Sequence, residues 1–318
     1  MSAYLFVHFR ETTTPDGEQV YFGISRDGLH WEETNGGRPV LWCYYGDKGA
    51  RDFTIAYCKY TKKYVIVGTD LSLSYGLRGK YHHSWAEISR HGSKAFSVWD
   101  STDLLNWSEQ RLVTVGDKNF GCMWAPDIIY DPEEEDYVMH WSSAHSGNGF
   151  GDKAIYYSRT RDFATFTQPQ LLYRKEGAGS VIDSAIYREE GWYYLFLKSE
   201  KNPSGIQLLR SSSLTGTYEK IDAFDRSMRG IDPEKHEAPT AVKLDDGRWA
   251  LFLDYFGVAG EKQGYIPFLS ENLKSGVFER ADAAFSFPYR FKHGTILKIT
   301  EEQYEKIKRH NFVPEDNR

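Results

Sequence analysis

The chain has 318 residues and a formal net charge of −6, and 16% of its residues are aromatic. No basic stripe occurs, which argues against a nucleic-acid partner, and no run approaches the ~20 apolar residues of a membrane span. We expect one domain that spans residues 1–318.

The N-terminal segment and the cysteines indicate a cytoplasmic protein. The short apolar run from Tyr4 to Phe9 has no charged segment before it and does not have the pattern of a signal peptide. The three cysteines, Cys43, Cys58 and Cys122, are odd in number and form no CxxC pair. We therefore expect reduced thiols and neither a disulfide framework nor a zinc site.

Two kinds of strand alternate along the chain. The first is a short aromatic and apolar run that opens at Tyr4, Tyr64, Tyr137, Tyr193 and Trp249. The second is an apolar strand followed by a serine, a short loop and an aromatic residue, with its serines at Ser25, Ser101, Ser158, Ser211 and Ser270. Such runs favour β-strands. Each kind occurs five times, in strict alternation.

An acidic residue or a histidine stands 10 to 12 residues before an aromatic residue in each repeat. The positions are Asp52, Asp127, Asp183, Glu237 and His293, with steps of 75, 56, 54 and 56 residues. Regular spacing of this length indicates a repeat architecture. With the strand that follows each position, a repeat contains four strands, the content of a propeller blade. In a five-bladed propeller these residues would lie at matching points around one axis.

The two ends of the chain predict how the ring closes. The chain begins with the second strand of a blade at Tyr4 and ends with a lone first strand from His293 to Ile299. The C-terminal strand should therefore complete the N-terminal blade, which leaves no open edge. Thr300 and Gln303 form a capping box that predicts a short helix to about His310. The fold class is thus all-β, a five-bladed propeller with a short C-terminal helix.

One connection is long enough to take part in a site. The segment from Asp70 to Gly92 exceeds the usual connection of under ~15 residues and is rich in Ser, Gly, His and Tyr. We expect it to form a wall of the site, with His82, His83 and Trp85 either lining the pocket or lying in solvent.

Several carboxylates at one axis favour acid/base chemistry. Burying like charges together is costly, and each raises the pKa of the others, so that one can stay protonated near neutral pH. Hydrolysis of a glycosidic bond needs a protonated acid for the leaving oxygen and an ionised base for water.

The ordered set of motifs resembles glycoside hydrolase family 43. The motifs are Arg51-Asp52-Phe53, Trp124-Ala125-Pro126-Asp127, Ile182-Asp183-Ser184, His236-Glu237-Ala238-Pro239 and His293-Gly294-Thr295. The resemblance implies an inverting enzyme in which Asp52 is the general base, Glu237 the general acid and Asp183 the residue that orients the acid and holds its pKa up. It also implies that His293 lies near a metal ion, commonly calcium, on the axis, while no cofactor is required for the reaction.

Four further residues are candidates for substrate binding. Phe53 stands where the family usually has proline, and it could place an aromatic ring at the sugar subsite. Trp124 is a candidate platform for a sugar ring. Asp127 has a register that places it at the axis, with a partly structural role. Arg290 could reach a substrate hydroxyl or the acid, or lie at the surface.

The resemblance favours an exo-acting α-L-arabinofuranosidase on short plant-derived oligosaccharides, with β-xylosidase and then β-galactosidase as alternatives. Other classes remain open because a fold does not fix a function. A lectin-like propeller would not need matched acids. Fructan- and sucrose-cleaving enzymes typically have a cysteine after the acid, where this chain has Ala238. A phosphorylase would need a compact basic cluster, and Arg78, Lys80 and Arg90 are spread out.

Overall fold

The computed structural model describes residues 2–12, 14–256, 264–288 and 290–313. The described strands are, in chain order, β1 (Ser2–His8), β2 (Tyr21–Ser25), β3 (Glu32–Glu33), β4 (Ala50–Cys58), β5 (Lys63–Asp70), β6 (Ala95–Ser101), β7 (Arg111–Thr114), β8 (Trp124–Asp131), β9 (Asp136–Ser143), β10 (Ala154–Thr160), β11 (Gln170–Tyr173), β12 (Val181–Glu189), β13 (Trp192–Ser199), β14 (Gly205–Ser211), β15 (Glu219–Lys220), β16 (His236–Lys243), β17 (Trp249–Tyr255), β18 (Gly264–Ser270), β19 (Glu279–Arg280) and β20 (Thr295–Thr300). They form five antiparallel sheets of four strands each. The predicted five-bladed propeller is confirmed.

Helices are few and short. They are α1 (Trp85–His91), α2 (Phe224–Ser227) and α3 (Glu301–Arg309), with a π-helical segment at Leu73–Lys80 and 3₁₀ turns at Asn35–Gly37, Ser146–Asn148 and Asp282–Ala284. Within the described residues, no helix has the length and apolar character needed to cross a bilayer.

The ring closes as the sequence predicts. Strand β20 pairs antiparallel with β1, and Leu297 lies opposite Leu5. The side chain of Thr300 accepts a hydrogen bond from the backbone of Gln303, whose side chain accepts one from the backbone of Thr300, so the predicted capping box is present. Helix α3 follows β20, and its Tyr304 is buried against the blade that β20 and β1 form together.

The core is made by the second strands, which are buried on both faces. In β13, for example, seven consecutive residues after Trp192 are buried. These strands are therefore near-continuous apolar runs, because a blade packs against a neighbour on each side. All three cysteines are buried and free.

In the first two blades, the serine at the end of the second kind of strand caps the turn that follows. The hydroxyl of Ser25 accepts a hydrogen bond from the backbone of Gly28 at 2.9 Å, and Ser101 does the same for Leu104. In the third blade the hydroxyl with this role is that of Thr160, which accepts from the backbone of Phe163 at 2.9 Å.

Candidate active site

The innermost strand of each of four blades has a β-bulge at its axial end. In β4, β8, β12 and β16 the pairing with the next strand shifts register near the start of the strand. The residues with left-handed backbone at these bulges are Asp52 (φ 52°), Ala125 (φ 51°), Asp183 (φ 53°) and Ala238 (φ 53°). A bulge bends the strand and redirects its side chains, here at the centre of the ring.

The bulges correct the prediction that the site residues lie at matching points. Asp52 and Asp183 do occupy the same bulge position. Glu237 comes one residue before the bulge residue of its strand, and Asp127 comes two residues after the bulge residue of its own strand. The inserted residue reverses the alternation of side chains, so equal spacing in the sequence does not give equal positions in space.

The axial ends of the blades surround one pocket of about 320 Å³. The pocket brings together the three predicted catalytic carboxylates, His293 and Trp124. It is also walled by Leu71 and Trp85 from the long segment between β5 and β6, as predicted. Its described lining residues are Arg51, Asp52, Leu71, Trp85, Trp124, Ile182, Asp183, Glu200, Glu237 and His293.

Asp52 is the carboxylate that ionises most readily. Burial opposes its ionisation, but the side chain of His293 donates to it and Arg51 lies nearby, so the pKa of Asp52 is held below its usual value. The Nδ1 atom of His293 is 3.3 Å from Oδ1 of Asp52, and the hydroxyl of Thr69 donates to Oδ2 at 3.1 Å. Asp52 is therefore a charged acceptor at neutral pH.

Glu237 has the opposite character. Burial, together with the nearby charges of Asp183 and Asp254, raises the pKa of Glu237 to about 8, against a weaker opposing effect of Lys292 and His293. Asp254 lies directly opposite Glu237 on the neighbouring strand and is fully buried. Glu237 is therefore protonated near neutral pH and can donate a proton.

Asp183 lies between these two extremes. Burial raises the pKa of Asp183 to about 6, while the charge of His293 lowers it. Its Oδ2 atom accepts a hydrogen bond at 3.2 Å from the backbone of Ala238, the residue after Glu237, and its own backbone donates to the hydroxyl of Ser142 at 3.0 Å. Asp183 thus fixes the strand that carries Glu237.

His293 is the cation of this cluster. Burial acts to lower its pKa, but hydrogen bonding to Asp52 and the charges of Asp183 and Glu237 outweigh burial and raise the pKa to about 9. Its backbone amide donates to Oδ2 of Asp254 at 3.2 Å. An imidazolium has no lone pair for a metal ion. Among the residues that the structure describes, no group of three or more side chains could hold a metal ion. The calcium ion expected near His293 stays a prediction.

Residues 1–305 match a family model, named for its relation to glycosyl hydrolase family 43, whose description is probable glycosyl hydrolase domain. The chain belongs to this family. It is also 28% identical over 221 residues to an α-L-arabinofuranosidase from Bifidobacterium longum subsp. longum. That alignment covers 63% of this chain and 20% of the relative, so the chain matches only a small part of the length of that protein.

Solved structures of a family 43 protein and of two other glycosidases have the same fold. The GH43 BlXynB protein from Bacillus licheniformis superposes with a TM-score of 0.54 at 15% identity, covering 86% of this chain and 52% of that one. The xylan β-1,4-xylosidase from Bacillus halodurans gives 0.57 at 15% identity, with 91% and 54% covered. An α-L-arabinofuranosidase from Podospora anserina gives 0.53 at 13% identity, with 77% and 73% covered. At these identities the likeness concerns the fold.

Three predicted binding residues lie outside the pocket lining that the described residues form. Phe53 is fully buried and packs against Trp99 at 6.3 Å between ring centroids, so the ring belongs to the core and not to a sugar subsite. Asp127 lies below the pocket, where it accepts a hydrogen bond from the hydroxyl of Thr54 at 2.8 Å, and burial raises its pKa to about 6. Arg290 is exposed in the turn before β20.

Three buried charged residues close to Glu237 were not predicted from the sequence: Lys198, Asp254 and Lys292. Lys198 is 5% exposed, and its amine donates to the carbonyl oxygens of Pro233 and, at 2.7 Å, His236. Lys292 is 2% exposed and donates to Asp254 at 2.9 Å. A signal existed, because Lys198 and Asp254 each follow an apolar run of five residues in a second strand, where a charge is not expected to be buried without a role.

Proposed function

We propose that this chain is an inverting exo-glycosidase that acts on plant-derived oligosaccharides, most specifically an α-L-arabinofuranosidase. The observation that carries the proposal is the opposite ionisation of two carboxyl groups in one pocket: Asp52 has a lowered pKa and Glu237 a raised one. Pairs of carboxyl groups whose surroundings push their pKa values apart divide the roles of base and acid between them.

Glu237 is the group that protonates the leaving oxygen. Its proton moves to the glycosidic oxygen as the bond to the anomeric carbon breaks. Asp183 keeps the acid in place through the backbone of Ala238 and, when ionised, adds a negative charge that favours the protonated form of Glu237.

Asp52 is the group that activates water. It accepts a proton from a water molecule, whose oxygen attacks the anomeric carbon from the face opposite the leaving group. His293 and Thr69 hold the Asp52 carboxylate by hydrogen bonds, so the base is oriented and ionised before substrate binds. Attack from the opposite face inverts the anomeric configuration.

The choice of sugar is supported by the relative and by the site. The Bifidobacterium longum relative is named α-L-arabinofuranosidase, and the pocket that holds Asp52, Asp183 and Glu237 has a volume of about 320 Å³. A site of this form holds one terminal sugar, which corresponds to exo action.

The test is a panel of 4-nitrophenyl glycosides: α-L-arabinofuranoside, β-D-xyloside, β-D-galactoside and β-D-fructofuranoside. Wild type and Glu237→Ala are assayed side by side. We expect cleavage of the arabinofuranoside by wild type and its loss in the variant. Cleavage of the xyloside or galactoside alone would reassign the sugar. No cleavage of any glycoside, with or without added phosphate, would reject the enzyme proposal in favour of a binding propeller.

A further inference from the structure

The long segment between β5 and β6 is a fixed wall of the pocket. Near its start, the hydroxyl of Ser72 and the backbone of Leu73 each donate to the carboxylate of Glu18 at 2.8 Å. Glu18 is 4% exposed and also pairs with Arg51 of the pocket at 3.0 Å. Further along, Tyr81 donates its hydroxyl hydrogen to the buried Asp47 at 3.0 Å. Two buried carboxylates therefore attach this segment to the body of the propeller.

The apolar side of the segment packs next to Trp124. Leu71, Tyr81 and Ile88 are buried together in a small cluster, and Trp124 packs against it from β8. The cluster supports helix α1, whose first residue is Trp85. The ring of Trp85 contacts the ring of Trp124, which packs on this cluster, so the cluster helps to set the position of the Trp85 side chain.

We use the name rim for four residues: Trp85, Trp124 and Glu200 of the pocket lining, and Lys153, which contacts Trp124 and Glu200. The rings of Trp85 and Trp124 meet edge to face, with centroids 6.0 Å apart and planes at 84°. The amine of Lys153 lies 4.8 Å from the centroid of Trp124 and 3.6 Å from the carboxylate of Glu200. Trp85 remains 51% exposed.

We propose that the rim is a binding subsite for a sugar ring on the leaving-group side of the scissile bond, which makes the substrate an oligosaccharide rather than a simple glycoside. This inference rests on the proposed function. The carboxyl groups act on the terminal sugar in the depth of the pocket, so the remainder of the substrate leaves through the mouth and passes the rim.

The chemistry of the rim fits a sugar ring. The flat apolar face of an indole suits the C–H face of a sugar, and Trp85 has such a surface open to solvent. Lys153 offers donors and Glu200 offers acceptors, which match the hydroxyl groups of a sugar edge. A nitrophenyl group has no hydroxyl groups for these two residues to bind.

The experiment compares two substrates that carry the same terminal sugar. One is 4-nitrophenyl α-L-arabinofuranoside, and the other is xylotriose substituted with α-L-arabinofuranose. Both are assayed with wild type, Trp85→Ala and Trp85→Phe. The matched control is Trp192→Ala, because Trp192 is 40% exposed and lies at the first position of β13, outside the described pocket lining.

For Trp85→Ala we expect kcat/KM on the substituted xylotriose to fall about tenfold further than on the nitrophenyl glycoside, which corresponds to ~1.4 kcal/mol of ring contact. Most of this loss should be in KM, Trp85→Phe should restore part of it, and Trp192→Ala should resemble wild type. Equal losses on the two substrates, or no loss on either, would overturn the inference while leaving the proposed function intact.

A binding measurement separates the two claims. Xylotriose is titrated calorimetrically into wild type and into Trp85→Ala, a readout that needs no catalysis. If no glycoside is hydrolysed, the proposed function fails, but weaker binding of xylotriose to Trp85→Ala still supports the rim as a sugar site. Absence of binding to wild type, or equal binding to both proteins, rejects it.

Discussion

Replacing Glu237 by glutamine should stabilise the protein at alkaline pH while it removes activity. In the unfolded chain this glutamate ionises near pH 4.5, and in the folded protein burial and neighbouring carboxylates raise its pKa to about 8. Between these values the folded state keeps a proton that the unfolded state has lost. Because the folded state then binds more protons, its stability falls as pH rises through this range.

The size of the effect follows from the two pKa values. Raising the pKa of Glu237 from 4.5 to about 8 corresponds to a cost on the order of 5 kcal/mol once the group is ionised, at ~1.36 kcal/mol for each tenfold change in the ionisation constant. Glutamine has nearly the same shape and carries no charge at any pH, so Glu237→Gln does not incur this cost. At about pH 5 the wild-type side chain is also uncharged in the folded state, and the two proteins should differ little.

The assay is chemical denaturation of wild type and Glu237→Gln at a series of pH values from about 5 to about 8.5. The control is Glu234→Gln, because Glu234 is exposed and lies three residues before Glu237, just ahead of β16. We expect the Glu237→Gln variant to gain stability over wild type progressively with pH, and the control to follow wild type. Parallel curves for wild type and Glu237→Gln across the whole range would refute the argument that Glu237 is held protonated.

Three further predictions concern the acid and its neighbours. Lys198→Met removes the buried donor to the carbonyl oxygen of His236, while the carbonyl oxygen of Pro233 keeps a hydrogen bond from the hydroxyl of Ser204. The variant should therefore destabilise the fold by ~1–3 kcal/mol in denaturation, whereas Lys274→Met at an exposed position should change it by under ~0.5 kcal/mol. Asp52→Asn should lower kcat by ~10²–10⁴ with little change in KM, measured by initial rates; a variant with wild-type kcat would reassign the base. The pH profile of kcat/KM should fall on the alkaline side near pH 8 as Glu237 loses its proton, and a profile level to about pH 10 would exclude Glu237 as the acid.

The propeller could be predicted from the sequence because its signals are local and repeated. Aromatic runs such as those at Tyr64 and Tyr193 define the second strands, and the lone strand after His293 predicts the closure with β1 that the structure has. The second strands are buried on both faces, and such burial is visible in the sequence as a continuous apolar run.

The depth of each residue along the axis could not be predicted, because it depends on the bulges. The bulge residues are aspartate or alanine with φ of 51–53° and not the glycines that usually indicate a left-handed backbone. Without the bulges, Asp127 has the same apparent register as the true pocket residues. Tertiary packing of neighbouring blades sets these conformations, and this packing has no signature in a single strand.

The buried charges could be noticed in the sequence but not paired. Asp254 and Lys292 are 38 residues apart and meet only when the fifth blade reaches the turn before β20. The charge of Asp254 raises the pKa of Glu237 and that of Lys292 lowers it. The protonation state of Glu237 therefore depends on contacts that exist only in the folded propeller, and no sequence motif contains them.

The most direct test of the account is the anomeric form of the first product. Wild type is mixed with an α-L-arabinofuranoside in the spectrometer, and proton NMR follows the anomeric signals before they equilibrate. An inverting pair made of Asp52 and Glu237 predicts that β-L-arabinofuranose appears first. First appearance of the α-anomer would contradict the assignment of Asp52 as a base that activates water, because it would require a covalent intermediate.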